Sequence, residues 1–318
     1  MKGFIKGAFL FGVIFSLSMN VFSQKKKKAE LKPEFSTVTY YKLDTTELQA
    51  DVFVPSNVTT EKMPLYIHLH GGGFSQGDRT NDYEICRMMT RNGCVAVAMS
   101  YTLYMKGKDF GCPGILSEKT KAIQIAVNQL WRATDYFVKN ANSYQIDTTK
   151  VFVGGCSAGA ETALHAAYWD REWMGIYPEQ LSKGFKYAGV FEVSGALMDI
   201  NLIRKDNMVP TMMFHGNCDR TVPYATASHR YCPSNASGWL MLFGSKTIYD
   251  KITELGGTAV LVTQCGGEHL TMGGIMERNA PLVGEFIKNA TTGKRMQLHT
   301  AENCTTPSAR KVVCPICD

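Results

Sequence analysis

From about Thr37 onward the chain alternates short apolar runs with longer stretches in which apolar residues recur every three or four positions. The runs Thr37–Leu43, Leu48–Val54, Leu65–His70, Val95–Ser100, Val151–Gly154, Tyr187–Val193, Thr211–His215 and Thr258–Thr263 have the length of strands and end in glycine, proline or polar residues. Between Ser117 and Asn140, residues Ala122, Ile123, Ile125, Ala126, Leu130, Ala133, Tyr136 and Phe137 fall at helical spacing. The same pattern recurs at Ala158–Ala167, Lys246–Leu255 and Gly274–Lys288. Apolar strands separated by helices predict a mostly parallel sheet covered on both faces, hence a single α/β domain over residues 37–290. The stretch 291–318, with Cys304, Cys314 and Cys317, reads as an extension on the last helix.

The first residues follow a different pattern. Met1 to Ser23 carry two lysines, an apolar stretch from Gly7 to Phe22 and a small residue at Ser23, the layout of an export signal cleaved near Ser23. The stretch is interrupted by Ser16, Ser18 and Asn20 and is short for a bilayer span, so the expectation is an exported protein with no stable membrane insertion after cleavage. Residues 24–36, with the run Lys25–Lys28, read as a solvated linker.

Charge removes one class of function. The chain has 34 Lys+Arg against 28 Asp+Glu, a formal charge of +6, and Lys2, Lys6 and the Lys25–Lys28 run account for six of the basic residues. The remaining body is roughly neutral, without the concentrated basic face of a nucleic-acid binder. With 45% hydrophobic and 19% charged residues, it can bury a large core.

Candidate chemistry lies where predicted strands end. Gly155-Cys156-Ser157-Ala158-Gly159 falls between the strand Val151–Gly154 and the helix that starts near Ala158. A serine on a sharp strand-to-helix turn projects clear of the backbone, and Gly155 and Gly159 supply the room that turn needs. His70-Gly71-Gly72-Gly73-Phe74 follows another strand, leaving backbone N–H groups free to hold an oxyanion. A serine hydroxyl needs a histidine base and an acid to orient that base. Of seven histidines, His269 lies on the loop between the last predicted strand and the last helix, where a base would arrive. The acid is expected after the preceding strand, at Asp219, with Glu192, Asp199 and Glu268 as competitors. Glu161, one turn beyond Ser157, reads as a charge complementing the helix N-terminus.

Taken in order, H-G-G-G-F, G-x-S-x-G, H-G-x-x-D-x-x-V-P and a late G-x-x-H resemble the serine esterases of the α/β-hydrolase fold, in particular the branch similar to hormone-sensitive lipase and bacterial carboxylesterases. The likeness covers roughly Thr37 to Lys288. It implies a central, mostly parallel eight-stranded sheet, Ser157 as nucleophile, His269 as general base and then acid, and Asp219 as its orienter. An oxyanion hole from the N–H groups of Gly72, Gly73 and Ala158 is implied as well. No cofactor and no metal are expected, and the partner is a small-molecule or carbohydrate ester. The chain differs from the family in having Cys156 before the serine, and Tyr101-Thr102 where tyrosine-arginine is usual. A peptidase of the same fold and a catalytically silent binding protein are the rival readings.

Ten cysteines in an exported chain predict disulfides. The expected pair is Cys218–Cys232, closing the segment that carries Asp219, with Cys265 as the competing partner of Cys218; Cys156 reads as a buried thiol. Cys314-Pro315-Ile316-Cys317, with Cys304 and His299 as its obvious companions, reads as disulfide-forming rather than zinc-binding. The aromatic stretch Tyr168–Tyr177, with Tyr224, Tyr231 and Trp239, is a candidate rim for an open substrate cleft.

Overall fold

The computed structural model describes residues 34–44, 46–56, 61–177 and 181–303, together with Met1 and Gly3. The expected export signal, the lysine run and Cys304, Cys314 and Cys317 lie outside the described residues. The chain divides into two compact units, Met1–Pro33 and Glu34–Asp318, and the site lies in the second.

Twelve strands are described: β1 (Ser36–Leu43), β2 (Thr46–Phe53), β3 (Met63–Leu69), β4 (Val95–Met99), β5 (Ile146–Cys156), β6 (Gly189–Val193), β7 (Ala196–Leu197), β8 (Thr211–Gly216), β9 (Thr226–Ser228), β10 (Met241–Gly244), β11 (Ala259–Gln264) and β12 (Gln297–Glu302). The main sheet has the order β1-β2-β4-β3-β5-β6-β8-β11-β12, and a small antiparallel sheet has the order β7-β10-β9. In the main sheet only β2 runs against the rest, so β3, β5, β6, β8 and β11 present their carboxyl ends on one edge.

The main sheet therefore has nine strands where eight are expected. The ninth, β12, comes from the stretch read as an extension and pairs parallel with β11 from Ala259↔Gln297 to Gln264↔Glu302. It alternates half-buried and exposed residues with few strong apolar positions, so its pattern alone is faint.

Helices are α1 (Tyr83–Arg91), α2 (Leu116–Lys139), α3 (Ala141–Tyr144), α4 (Ala158–Tyr168), α5 (Arg171–Met174), α6 (Ser245–Glu254), α7 (Met272–Arg278) and α8 (Ala280–Thr292). The helix expected over Gly274–Lys288 is two helices meeting at Asn279. Pro281, in the first turn of α8, has no amide to continue the preceding helix.

Period-two alternation sorts the core onto the two faces of the sheet. Leu65, Ile67 and Leu69 of β3 join Val95, Val97 and Met99 of β4 in one cluster with α2, α4 and α6. Tyr66, Ala96, Ala98, Phe152, Phe191 and Phe214 form the other, with α1, α7 and α8. Trp131 is fully buried and its Nε1 donates to the Ala166 carbonyl at 3.0 Å, fixing α2 against α4. Among the described residues no helix is long and apolar enough to cross a membrane.

Candidate active site

Ser157 sits between β5 and α4 with φ 54° and ψ −120°, a conformation costly for a residue with a Cβ. The surroundings hold it there. Its N–H donates to Val193 at the end of β6 at 2.9 Å. A Cβ on Gly159 would lie 2.1 Å from the Leu69 carbonyl oxygen, and one on Gly155 2.5 Å from it, so glycine at both positions lets the turn press against the end of β3.

The glycine loop after β3 faces the same cleft. Gly72 has φ 116° and accepts at its carbonyl from the N–H groups of Ser75 and Gln76, which closes the loop on itself. Neither Gly72 nor Gly73 donates its own N–H to a backbone carbonyl among the described residues. Both amides are thus available to a ligand oxygen. The His70 ring stacks on Tyr101 at 4.4 Å and its Nδ1 donates to the Gly71 carbonyl at 2.7 Å, while the Tyr101 hydroxyl donates to the His70 carbonyl at 2.8 Å.

Asp219 and His269 arrive from the ends of β8 and β11, and backbone bonds hold their loops side by side. Cys218 N–H donates to Gly267 at 2.9 Å, and Gly266 N–H to the Asn217 side chain at 2.7 Å. His269 Nδ1 donates to Asp219 Oδ2 at 2.6 Å. The other oxygen, Oδ1, accepts from the N–H groups of Thr221 and Val222 at 2.7 and 3.0 Å. Burial alone would raise the pKa of Asp219, but hydrogen bonds from His215 and His269 outweigh it and hold the carboxyl well below its usual range. Ser157 and His269 line one cleft of about 900 Å³. No hydrogen bond joins the two side chains; such contacts commonly tighten only when substrate arrives.

A second histidine backs the acid. His215 Nε2 lies 3.2 Å from Asp219 Oδ2, and its Nδ1 lies 2.6 Å from Ser245 Oγ, which is itself bonded to Glu192. The competing acids take other roles. Glu192 is buried, with its pKa pushed up by desolvation, and accepts from Gly195 N–H; Asp199 caps the turn Ile200–Leu202; Glu268 is exposed.

Three expectations are corrected. Cys232 is bonded to Cys112, not Cys218, because the segment after β9 turns toward residues 111–119, where Gly238 N–H donates to Cys112 and the Ser237 hydroxyl to Pro113. Cys218 is held in a disulfide with a partner other than Cys232, and Cys265 is also in a disulfide. The aromatic stretch Tyr168–Tyr177 lines a separate hollow, because the eleven residues of α4 carry the chain about 16 Å away from the elbow before it begins. Glu161 does lie in the first turn of α4, but not as a standing charge: it is 2% exposed, lines the cleft, and burial pushes its pKa up to about 8. Cys156, as expected, is a buried thiol, and it donates to the Leu270 carbonyl. Phe110 and His229 also line the cleft; neither carries a sequence signal, since each reaches it from a loop.

A serine elbow, a glycine loop and a histidine–aspartate pair meet at the carboxyl edge of one such sheet, and the sheet is that of an α/β-hydrolase fold. Residues 50–207 match the BD-FAE family model. An acetyl esterase of Salmonella paratyphi B is 29% identical over 132 residues, covering 37% of this chain and 36% of that protein. The non-reducing polyketide synthase atr1 of Stereocaulon alpinum is 30% identical over 151 residues, 45% of this chain but 5% of the synthase. The chain thus spans about a third of the acetyl esterase and a small part of the synthase. Esterase 2 of Thermogutta terrifontis, phosphoramylated by tabun, superposes with a TM-score of 0.62 at 15% identity, over 85% of this chain and 98% of that one. The propionate-bound form of that esterase gives 0.60 at 16% identity, over 83% and 96%.

Proposed function

We propose that the protein is an exported serine hydrolase acting on carboxylic esters with short acyl groups or carbohydrate alcohols. The observation that carries the reading is the 2.6 Å bond from His269 to a buried, ionised Asp219 on the same cleft as the strained Ser157. In the reaction, His269 Nε2 takes the Ser157 proton as Oγ attacks the ester carbonyl, and Asp219 stabilises the imidazolium. The carbonyl oxygen becomes an oxyanion between the N–H groups of Gly72, Gly73 and Ala158. Collapse expels the alcohol, which takes the proton from His269, and leaves an acyl-enzyme on Ser157. Water, deprotonated by the same histidine, then releases the acid.

Short acyl groups are favoured by the acetyl esterase relatives and by the neighbour solved with propionate. Export is favoured by the signal-like first 23 residues and by disulfides, which persist in oxidising compartments. A fluorophosphonate probe should label wild-type protein at Ser157 and leave Ser157→Ala unlabelled, with 4-nitrophenyl acetate turnover lost in parallel. Turnover by Ser157→Ala near the wild-type rate would overturn the reading.

A further inference from the structure

Two polar side chains in the cleft have no part in this chemistry. Glu161 and His229 are 2% and 1% exposed, and both line the cleft beside Ser157. The Glu161 carboxyl makes no hydrogen bond with the described residues, although its backbone carbonyl is bonded to His165. His229 Nδ1 is likewise buried without a partner. A buried polar atom left unpaired is costly, as at His229 Nδ1, and the Glu161 carboxyl lining the same cleft has no hydrogen-bond partner among the described residues either, so the two side chains point to a ligand that completes them.

The walls narrow the chemistry of that ligand. Phe110 lies edge-on to the His229 ring at 5.1 Å, and the Cys112–Cys232 bridge ties together the two loops that carry them. Lys119, reaching in from α2, is committed to the Gly238 carbonyl at 2.7 Å. Burial pushes Glu161 up to about 8, against Lys119 and Arg230 and with Asp219, and pushes His229 down to about 3, with Lys119, Arg230 and His269 and against Asp219. Near neutral pH the pair is therefore mainly a carboxylic acid and an uncharged imidazole, each able to donate or accept. An apolar acyl chain would leave both unpaired. An anion would find the Lys119 ammonium already engaged with Gly238, and beside Arg230, which also lines the cleft, it would meet the Glu161 carboxyl. A hydroxyl, donor and acceptor at once, satisfies them.

Glu161 follows Ser157 by one turn of α4, a rise of about 6 Å, so the group it meets lies a few bonds from the reacting carbonyl. We propose that Glu161 and His229 form a subsite for a hydroxyl carried close to the ester bond, and that the substrates are esters of hydroxylated acids or of polyols. This rests on the ester-hydrolase reading above and names its substrate class.

Two matched pairs of esters test it, and show which side of the ester carries the hydroxyl. On the acyl side, 4-nitrophenyl 3-hydroxybutyrate is compared with 4-nitrophenyl butyrate; on the alcohol side, glycerol monoacetate is compared with propyl acetate. The wild-type enzyme should favour the hydroxylated member of at least one pair by about tenfold or more in kcat/KM, as expected when its absence leaves buried polar groups unpaired. Glu161→Leu and His229→Phe should move that ratio toward one, and Glu161→Gln, which still donates and accepts, should keep most of it. A ratio near one in both pairs for wild type, or a preference that survives Glu161→Leu, would overturn the subsite while Ser157-dependent turnover of the plain esters left the hydrolase reading standing. Failure to hydrolyse any of the four would overturn both.

Discussion

Asp219 is the most heavily committed side chain of the site, with one oxygen on two backbone amides and the other facing two histidines. Replacing it with Asn keeps the shape but offers an amide where His269 requires an acceptor. Asp219→Asn should lower kcat by on the order of 10³–10⁴ with little change in KM, whereas Asp199→Asn, which touches only a surface turn, should stay near wild type; steady-state kinetics on 4-nitrophenyl acetate checks both. Glu161 makes the opposite prediction for stability. Its folded pKa of about 8 exceeds its unfolded value of about 4.3, so between them the folded chain holds a proton that the unfolded chain has lost. Its contribution to stability is complete below about pH 4 and declines as pH rises toward 8. Glu161→Gln should remove that decline, so urea unfolding across pH 5–8 should show a variant that gains on wild type as pH increases. Lys119, Arg230 and Asp219 face the same group, the first two lowering its pKa and the third raising it, so their charges set how far up in pH the decline extends.

At the scale of elements, the glycine loop after β3 is the part least able to vary. Gly72 combines φ 116° with a Cβ position 2.1 Å from the Gln76 carbonyl oxygen, so a methyl group must displace the turn whose amides face the cleft. Gly72→Ala should therefore cost on the order of 10²–10³ in kcat, the loss expected for an oxyanion donor, while far-UV circular dichroism stays native. Conversely, the fold explains why α4 carries two different environments. Its first turn holds Ser157 and Glu161 at the cleft, and its last residues deliver Tyr168 and Trp169 to a separate hollow about three turns away.

Across the whole molecule, the Cys112–Cys232 bridge joins positions 120 residues apart. In the chain-entropy account, closing so long a loop restricts the denatured ensemble, and such bridges typically contribute about 2–5 kcal/mol. Cys112→Ser with Cys232→Ser should lower unfolding stability by about that amount. Because the bridge also holds Phe110 against His229, it should weaken any preference for hydroxylated esters more than turnover of 4-nitrophenyl acetate. Peptide mapping without reduction should recover Cys112 linked to Cys232.

The sequence by itself determined the layering, because period-two and period-3.6 patterns record which face of each element is buried. It also located Ser157, the glycine loop, Asp219 and His269 near strand ends, because a sharp turn needs glycine and parallel strands must release their loops at one edge. Only the tertiary structure decided which distant loops meet there. Cys112 reaches Cys232 through two loops with no periodic signal. β12 is read as a strand only when paired with β11. Glu161 looks like a helix-end charge until burial in the cleft removes the water that would ionise it. Local pattern encodes the environment along an element; what faces a side chain across a cleft depends on how every other element packs.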